Sequence, residues 1–151
     1  GLQLCLAVFD LDHFKRINDT YGHLYGDEVL LHFAQLMEHH LRDHDMIFRF
    51  GGEEFIVVLY QVNSGQAEKI LNRLRSQVYD YDFPGVGQVS VSIGATFLSS
   101  HESSNDFIER ADRALYFVKE NGRNQVAFYE QLVEQHHIEA VHTASGETEL
   151  F

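Results

Sequence analysis

The chain opens on an apolar run, Leu4-Cys5-Leu6-Ala7-Val8-Phe9, so residues 3–9 carry the continuous hydrophobic pattern of a strand buried on both faces, with Asp10 at its end. After Gly26 the period changes. Val29, Leu30, Phe33, Leu36 and Met37 recur at helical spacing and predict an amphipathic helix of about three turns, with Asp27 placed as its N-cap. Residues 46–50 and 55–60 then have the apolar, aromatic and β-branched composition of two strands, joined by Gly51-Gly52-Glu53-Glu54 as a tight hairpin turn. Ala67, Ile70, Leu71, Leu74 and Val78 mark a second helix, and Val89, Val91 and Ile93 alternate with Ser90, Ser92 and Gly94 as a half-buried strand. Phe107, Ala111, Ala114, Leu115 and Val118 mark a further helix that Gly122 ends as its C′ glycine, and a short strand, Val126 to Tyr129, follows. Strands mixed with helices, one hairpin among them, predict an α/β (α+β) fold with a mixed central sheet flanked by helices, not a doubly wound parallel sheet. From about residue 130 the period and the core residues fade, and Thr143 to Glu149 is polar enough to read as a mobile tail.

Composition narrows the function classes. With 151 residues, 44% of them hydrophobic, and twelve Phe, the chain builds one ordinary domain with a proper core. A formal charge of −12 argues against a broad nucleic-acid surface or an anionic-membrane surface, so a phosphate-bearing ligand must meet a local cationic pocket. The one cysteine, Cys5, lies within the first apolar run; it reads as a buried core thiol and fits a reducing cytoplasm. No apolar stretch approaches the ~18 residues of a membrane span, and no signal segment opens the chain. The start falls inside what reads as a core strand, which predicts a fragment of a longer protein.

The chemistry concentrates at the hairpin. Glu53 and Glu54 sit side by side in a tight turn, where two acids repel unless something cationic joins them, and a hard divalent cation carrying a nucleotide's phosphates answers that need. Asp10, at the end of a central strand, can converge with the hairpin acids on one edge of a sheet, as two-metal phosphoryl-transfer sites require. Alone, Asp10-Leu11-Asp12 would read as turn formers after a strand.

The companion motifs decide the matter. Asp10-Leu11-Asp12-His13-Phe14-Lys15-Arg16-Ile17-Asn18-Asp19, then Tyr21-Gly22-His23-Leu24-Tyr25-Gly26-Asp27, then Gly51-Gly52-Glu53-Glu54-Phe55 closely resemble, in order and spacing, the GGDEF family of diguanylate cyclase domains in its GGEEF variant. Ala111-Asp112-Arg113-Ala114-Leu115-Tyr116 and Lys119-Glu120-Asn121-Gly122-Arg123-Asn124 continue the match, so the resemblance assigns residues 1–129 to that domain and 130–151 to a C-terminal extension. It implies a fold like the nucleotide cyclase and polymerase palm domains. The implied reaction joins two GTP molecules into cyclic di-GMP, with loss of two pyrophosphates and with Mg²⁺ or Mn²⁺ as cofactor.

Carried over residue by residue, the resemblance makes Asp10, the backbone carbonyl of Leu11, Glu53 and Glu54 the metal site. Glu53 and Glu54 are also catalytic, one as base near the ribose 3′-OH, and the sequence leaves the division of roles between them open. Lys15, Lys119 and Arg123 fall at phosphate-binding positions, Lys15 counted also with the catalytic set. Asn18 and Asp27 fall at guanine-reading positions, where a carboxylate accepts from the base's N1 and N2 hydrogens, and His23 belongs to the same pocket. Arg42-Asp43-His44-Asp45 has the register of the family's product-inhibition site relative to Gly51, with Arg73 as a secondary contact. By itself, an Arg-x-x-Asp motif is an i,i+3 surface ion pair. Ten histidines, including His39-His40 and His136-His137, lack partners at ligand spacing and read as solvated rather than as a zinc site.

The family usually begins with a further helix, and that stretch is missing here. Each domain holds one GTP, so the resemblance implies a homodimer for catalysis, with an upstream sensory or dimerising segment holding the pair in the cytoplasm. The expected function is a product-inhibited cyclase. The alternative is a catalytically silent domain that senses GTP or cyclic di-GMP, but such domains usually lose the hairpin acids that this sequence keeps.

Overall fold

The computed structural model describes residues 1–98 and 103–140. Ten elements follow one another: β1 (Gln3–Leu11), α1 (Phe14–Tyr21), α2 (His23–His40), β2 (Met46–Gly51), β3 (Glu54–Val62), α3 (Ser64–Asp80), β4 (Val91–Phe97), α4 (Ser104–Glu120), β5 (Val126–Phe128) and α5 (Tyr129–Glu134). The strands form one mixed sheet in the order β2-β3-β1-β4-β5, antiparallel except for the parallel β4–β5 pair. This is the mixed, helix-flanked sheet that the sequence predicts.

β1 is central, and each of its faces meets helices. Cys5, Ala7, Phe9 and Leu11 share one core with α2 and α3, where Phe33 lies between Phe9 and Phe55 at centroid distances of 6.2 and 4.8 Å. Complete burial of each such ring contributes about 1.5–3 kcal/mol. On the opposite face Val8 and Ile56 meet Ala111 and Leu115 of α4. Cys5 is fully buried, and burial first, then the charge of Glu130, pushes its thiol pKa up to about 12, so it stays a core group.

α4 lies unusually close to the sheet because β4 has a glycine beneath it. A Cβ at Gly94 would stand 2.2 Å from the Leu115 nitrogen and 2.3 Å from the Ala111 carbonyl oxygen. That approach explains a departure from the sequence reading. Every residue of β4 is buried, so the alternation of apolar with small residues does not mark a half-exposed strand. Ser92 and Gly94 are small because α4 and a buried carboxylate cover them, not because water does. Val89 precedes the strand, which begins at Val91.

Three other expectations change. α1 is a separate two-turn helix that the periodicity did not single out. Its buried residues are Phe14 and Ile17, too few to make a periodic signal. α2 starts at His23 with Gly22 as N-cap, so Asp27 is not the cap but lies inside the helix; Gly22, at φ 95°, ends α1 and starts α2. Core residues also continue past 130. α5 buries Tyr129 and Leu132 against Ala114, while Glu130 accepts hydrogen bonds from Thr96 Oγ1 at 2.6 Å and from the Phe97 amide at 3.0 Å. Buried Arg110 completes this junction through Thr96 Oγ1 and the Phe97 carbonyl. The polar stretch Thr143 to Glu149 falls outside the described residues. α3 agrees with its pattern, closed at its start by a reciprocal capping box between Asn63 and Gln66.

The Gly94 contact is with backbone atoms that cannot rotate away. Gly94→Ala is expected to cost about 2–3 kcal/mol in chemical denaturation, whereas Gly65→Ala, which meets nothing closer than 3.5 Å, is expected to be neutral or slightly stabilising. Equal stability of the two variants would show that α4 tolerates displacement.

Candidate active site

The site grows from strand register. Asp10, 2% exposed near the end of β1, faces Glu54 across β3 and Ser92 across β4. Burial of a carboxylate requires a partner, and Lys119, in the last turn of α4, supplies it by donating from Nζ to Asp10 Oδ2. Glu54 shares a hydrogen bond with Asp10. Burial, then the charges of Asp10 and Asp112, raise its pKa to about 7, against the opposing pull of Lys119. One lysine thus stands against two adjoining carboxyl groups, and Glu54 keeps its proton to a higher pH than an ordinary carboxyl.

The turn that presents these acids is held from below. Gly52 takes a left-handed φ of 51°, Arg49 Nε donates to the Gly52 carbonyl at 2.9 Å, and the Leu11 amide donates to the Glu53 carbonyl at 3.3 Å. Glu53 is therefore tied to the end of β1 through its backbone, while its half-buried side chain sits at the turn beside the paired acids. Among the described residues, no three His, Cys, Asp or Glu side chains form a ready-made metal cluster. Two adjoining carboxyl groups do fit a hard divalent cation that takes only one or two protein carboxylates and completes its shell with waters and phosphate oxygens.

Comparison with known proteins agrees with this geometry. The family profile described as "Diguanylate cyclase, GGDEF domain" matches residues 1–125. The chain belongs to that family. It is 43% identical over 129 residues to the diguanylate cyclase DgcP of Pseudomonas aeruginosa, an alignment covering 83% of this chain and 19% of DgcP. The chain thus spans about a fifth of the length of that relative. The crystal structure of the GGDEF domain of DgcB from Caulobacter crescentus in complex with c-di-GMP superposes with a TM-score of 0.80 at 34% identity, over 86% of this chain and 80% of that one. The active GGEEF domain of a diguanylate cyclase from Vibrio cholerae gives a TM-score of 0.77 at 35% identity, over 83% of this chain and 82% of that one.

Within this GGDEF domain the other expected site residues fall in three places. Arg123 lies beyond the C-terminal end of α4, with Nη1 3.9 Å from Asp12 Oδ1. Lys15 is not drawn in: its side chain is 90% exposed and paired with Asp19 at 3.0 Å on the surface of α1. Asn18 packs against α2 at Gly26, one residue before Asp27, its Oδ1 standing 1.8 Å from where a Gly26 Cβ would be. Asp27 stands next to this contact and lines an open groove of about 540 Å³ with Leu30, Leu31, Phe48, Arg49 and Phe55. His23 is exposed on the first turn of α2.

Arg42 and Asp45 form the third place, and there the i,i+3 ion pair does form. Arg42 Nε and Nη2 each donate to Asp45 at 2.8 Å, and Nη2 also reaches the Tyr60 carbonyl at 2.8 Å. The Asp45 side chain is fully covered; although burial opposes ionisation, the bonds from Arg42 and the Tyr60 amide hold its pKa below the usual carboxylate value. Arg42, His44, Met46, Tyr60 and Gln61 border a groove of about 480 Å³. Arg73 approaches from α3 and donates to the His40 carbonyl at 3.1 Å.

Two residues near the centre escaped the sequence reading. Asp112 on α4 lies close enough to act electrostatically on Glu54, and burial raises its own pKa. Its signal was its place two helical turns before Lys119, on the same helix face. Asp12 is buried with four partners. Its signal was the two-residue spacing from Asp10, which places both side chains on one face of an extended chain.

The raised Glu54 pKa sets the sign of a pH effect. Its folded value exceeds the ordinary glutamate value of 4.5, so the folded state binds the proton more tightly and the metal-free domain loses stability as pH rises from about 4.5 to about 7. Below that window the penalty is absent, and above it the penalty is complete. Urea unfolding in chelator at pH 5 and pH 8 is expected to show a smaller loss for Glu54→Gln than for the wild type; equal losses would remove Glu54 as the source.

Proposed function

We propose that this GGDEF domain is a diguanylate cyclase, condensing two GTP into cyclic di-GMP with release of two pyrophosphates, as one half of a head-to-head homodimer. The observation that carries the reading is the Asp10–Glu54 pair in cross-strand register beneath Lys119, an acid centre with a cation at its rim. Family membership and the named cyclases among its relatives support the same chemistry.

Guanine is read by Asn18 and by Asp27 of the groove along α2, with His23, exposed on the first turn of that helix, assigned to the same pocket. A carboxylate at Asp27 accepts from guanine's N1 and N2 hydrogens and opposes adenine, whose N1 is an acceptor. Lys119 and Arg123 meet the triphosphate. Lys15 joins them by leaving an exposed ion pair with Asp19, worth at most about 1 kcal/mol. A divalent cation, Mg²⁺ or Mn²⁺, held by Asp10, the Leu11 carbonyl, Glu53 and Glu54, would neutralise phosphate charge as pyrophosphate leaves. Glu54 is committed to Asp10 by register, which leaves Glu53 to take the proton from the ribose 3′-OH. The 3′ oxygen then bonds to the α-phosphorus of the GTP on the opposing domain, and the bond from that phosphorus to the pyrophosphate oxygen breaks. Two such transfers close the ring.

Concentrated protein incubated with GTP and Mg²⁺, with products resolved by anion exchange, tests this reading. Cyclic di-GMP is expected from wild type and at least about a hundredfold less from Glu53→Gln, the scale of a lost general base. Undiminished product from Glu53→Gln would overturn the assignment. GTP binding without product, even with two domains tethered, would instead mark a nucleotide-sensing domain.

Regulation belongs to the same reading. Arg42, Asp45 and Arg73, beside the groove of about 480 Å³, form the product-inhibition site, where a guanidinium fork suits guanine edges and phosphates. Arg42→Ala is expected to relieve inhibition by added cyclic di-GMP while sparing GTP binding. Unchanged inhibition would refute that site. GTP as substrate places the domain on the cytoplasmic side of its cell, and no helix among the described residues is long and apolar enough to cross a membrane.

A further inference from the structure

Asp12 is buried, with its side chain 1% exposed, and it accepts from three directions. The Ser90 and Ser92 hydroxyls each donate to it at 2.6 Å, and the Asn124 amide donates at 3.1 Å. The Arg123 guanidinium stands 3.9 Å away. A carboxylate excluded from water needs such a full set of donors, so this arrangement is over-determined rather than incidental.

The segment it holds is unusual. α4 ends on Gly122, and the Arg123 amide turns back to the Val118 carbonyl at 2.9 Å in a Schellman closure. The chain then stays left-handed through Arg123 at φ 62° and Asn124 at φ 51°, a conformation that non-glycine residues rarely hold in succession. Asn124 is the pin: its amide is shared between Asp12 Oδ2 and Ser92 Oγ, and Arg75 Nη1 donates to its Oδ1 at 3.0 Å. Asp10 and Asp12, two residues apart on one face, thus grip the C-terminal end of α4 at two points, Asp10 through Lys119 and Asp12 through the Arg123-Asn124 turn.

We propose that Asp12 is a positioning residue for the phosphate end of the substrate: it fixes the left-handed turn after α4 so that Arg123 is pre-aimed beside Lys119, and it touches neither substrate nor metal itself. This rests on the reading of Arg123 as a phosphate ligand. Pre-aiming lowers the entropy lost when a guanidinium closes on a phosphate, so its loss weakens the triphosphate contact and leaves base recognition, which is built on α1 and α2, untouched.

Binding of two probes, tripolyphosphate with Mg²⁺ and guanosine, followed by NMR titration of the full chain, tests the proposal in wild type, Asp12→Asn and Arg123→Ala. Asp12→Asn keeps the shape but removes the charge and sets an amide donor against the Asn124 amide. About tenfold weaker tripolyphosphate binding is expected, the scale of one charge-assisted contact, with guanosine unchanged. Arg123→Ala is expected to weaken tripolyphosphate similarly. Loss with Arg123→Ala but none with Asp12→Asn would overturn the positioning role while leaving the phosphate reading intact. No loss with Arg123→Ala would overturn the phosphate reading and the positioning role with it. Equal loss of both probes in Asp12→Asn would also overturn the proposal, as general damage to the fold. Should Asp12→Asn fail to fold, Ser92→Ala removes one donor to Asp12 and one acceptor of Asn124. It is expected to weaken tripolyphosphate about threefold, and wild-type affinity there would sink the idea.

Discussion

Two carboxylates forced into register at the end of a buried strand set the terms for everything around them. Asp10 cannot avoid Glu54, because β1 and β3 are antiparallel and their pairing runs unbroken from Cys5–Leu59 to this point. Neither acid can be left ionised and unpaired in that setting. Lys119 pairs with Asp10, and Glu54 beside it holds its proton up to about pH 7, so the centre has one neighbouring cation for two carboxyl groups. A strongly acidic chain thus keeps a lysine at the point where two of its acids meet. The local balance of charge matters there, and the net charge does not.

α4 is the element that makes the arrangement geometrically possible. It carries Asp112 and Lys119 on one side, and it can reach the sheet end because Gly94 lets its backbone settle almost onto β4. α5 adds to this from behind. Glu130, Thr96 and Arg110 fasten the far end of β4 to both helices, and each buried charge in that junction has a partner. Lys119 therefore sits on a helix that is fastened to the sheet at Arg110 and at its C-terminal end.

The groove along α2 and the Arg42 region are built in two different ways. Along α2, Gly26 lets Asn18 of α1 pack against the helix, one residue before Asp27. At Arg42 the polar groups already satisfy one another, with Asp45 covered and the guanidinium 42% exposed. The bidentate pair clips the loop before β2 to the backbone of Tyr60 on β3.

Most of the architecture was legible in the chain because it rests on local physics. The apolar run of β1, the helical periods of α2, α3 and α4, the glycines of the hairpin and the C′ glycine after α4 each report a local requirement that any tertiary setting would honour. The family was legible for the same reason, since its motifs are short runs of fixed order and spacing. The misreadings share one cause: a residue whose neighbour comes from far along the chain was interpreted as though water were its neighbour. Ser92 and Gly94 looked solvent-facing but face Asp12 and α4, Asp27 looked like a cap but lies within a helix, and Leu132 looked like the start of a tail but packs on Ala114. Local sequence determined which segments are strands and helices and which acids could bind a cation. Only the tertiary structure decided that Asp10 meets Glu54 and Lys119, and that Asp12 grips the turn after α4, because those contacts span between 44 and 112 residues of chain and exist only once the sheet register is set.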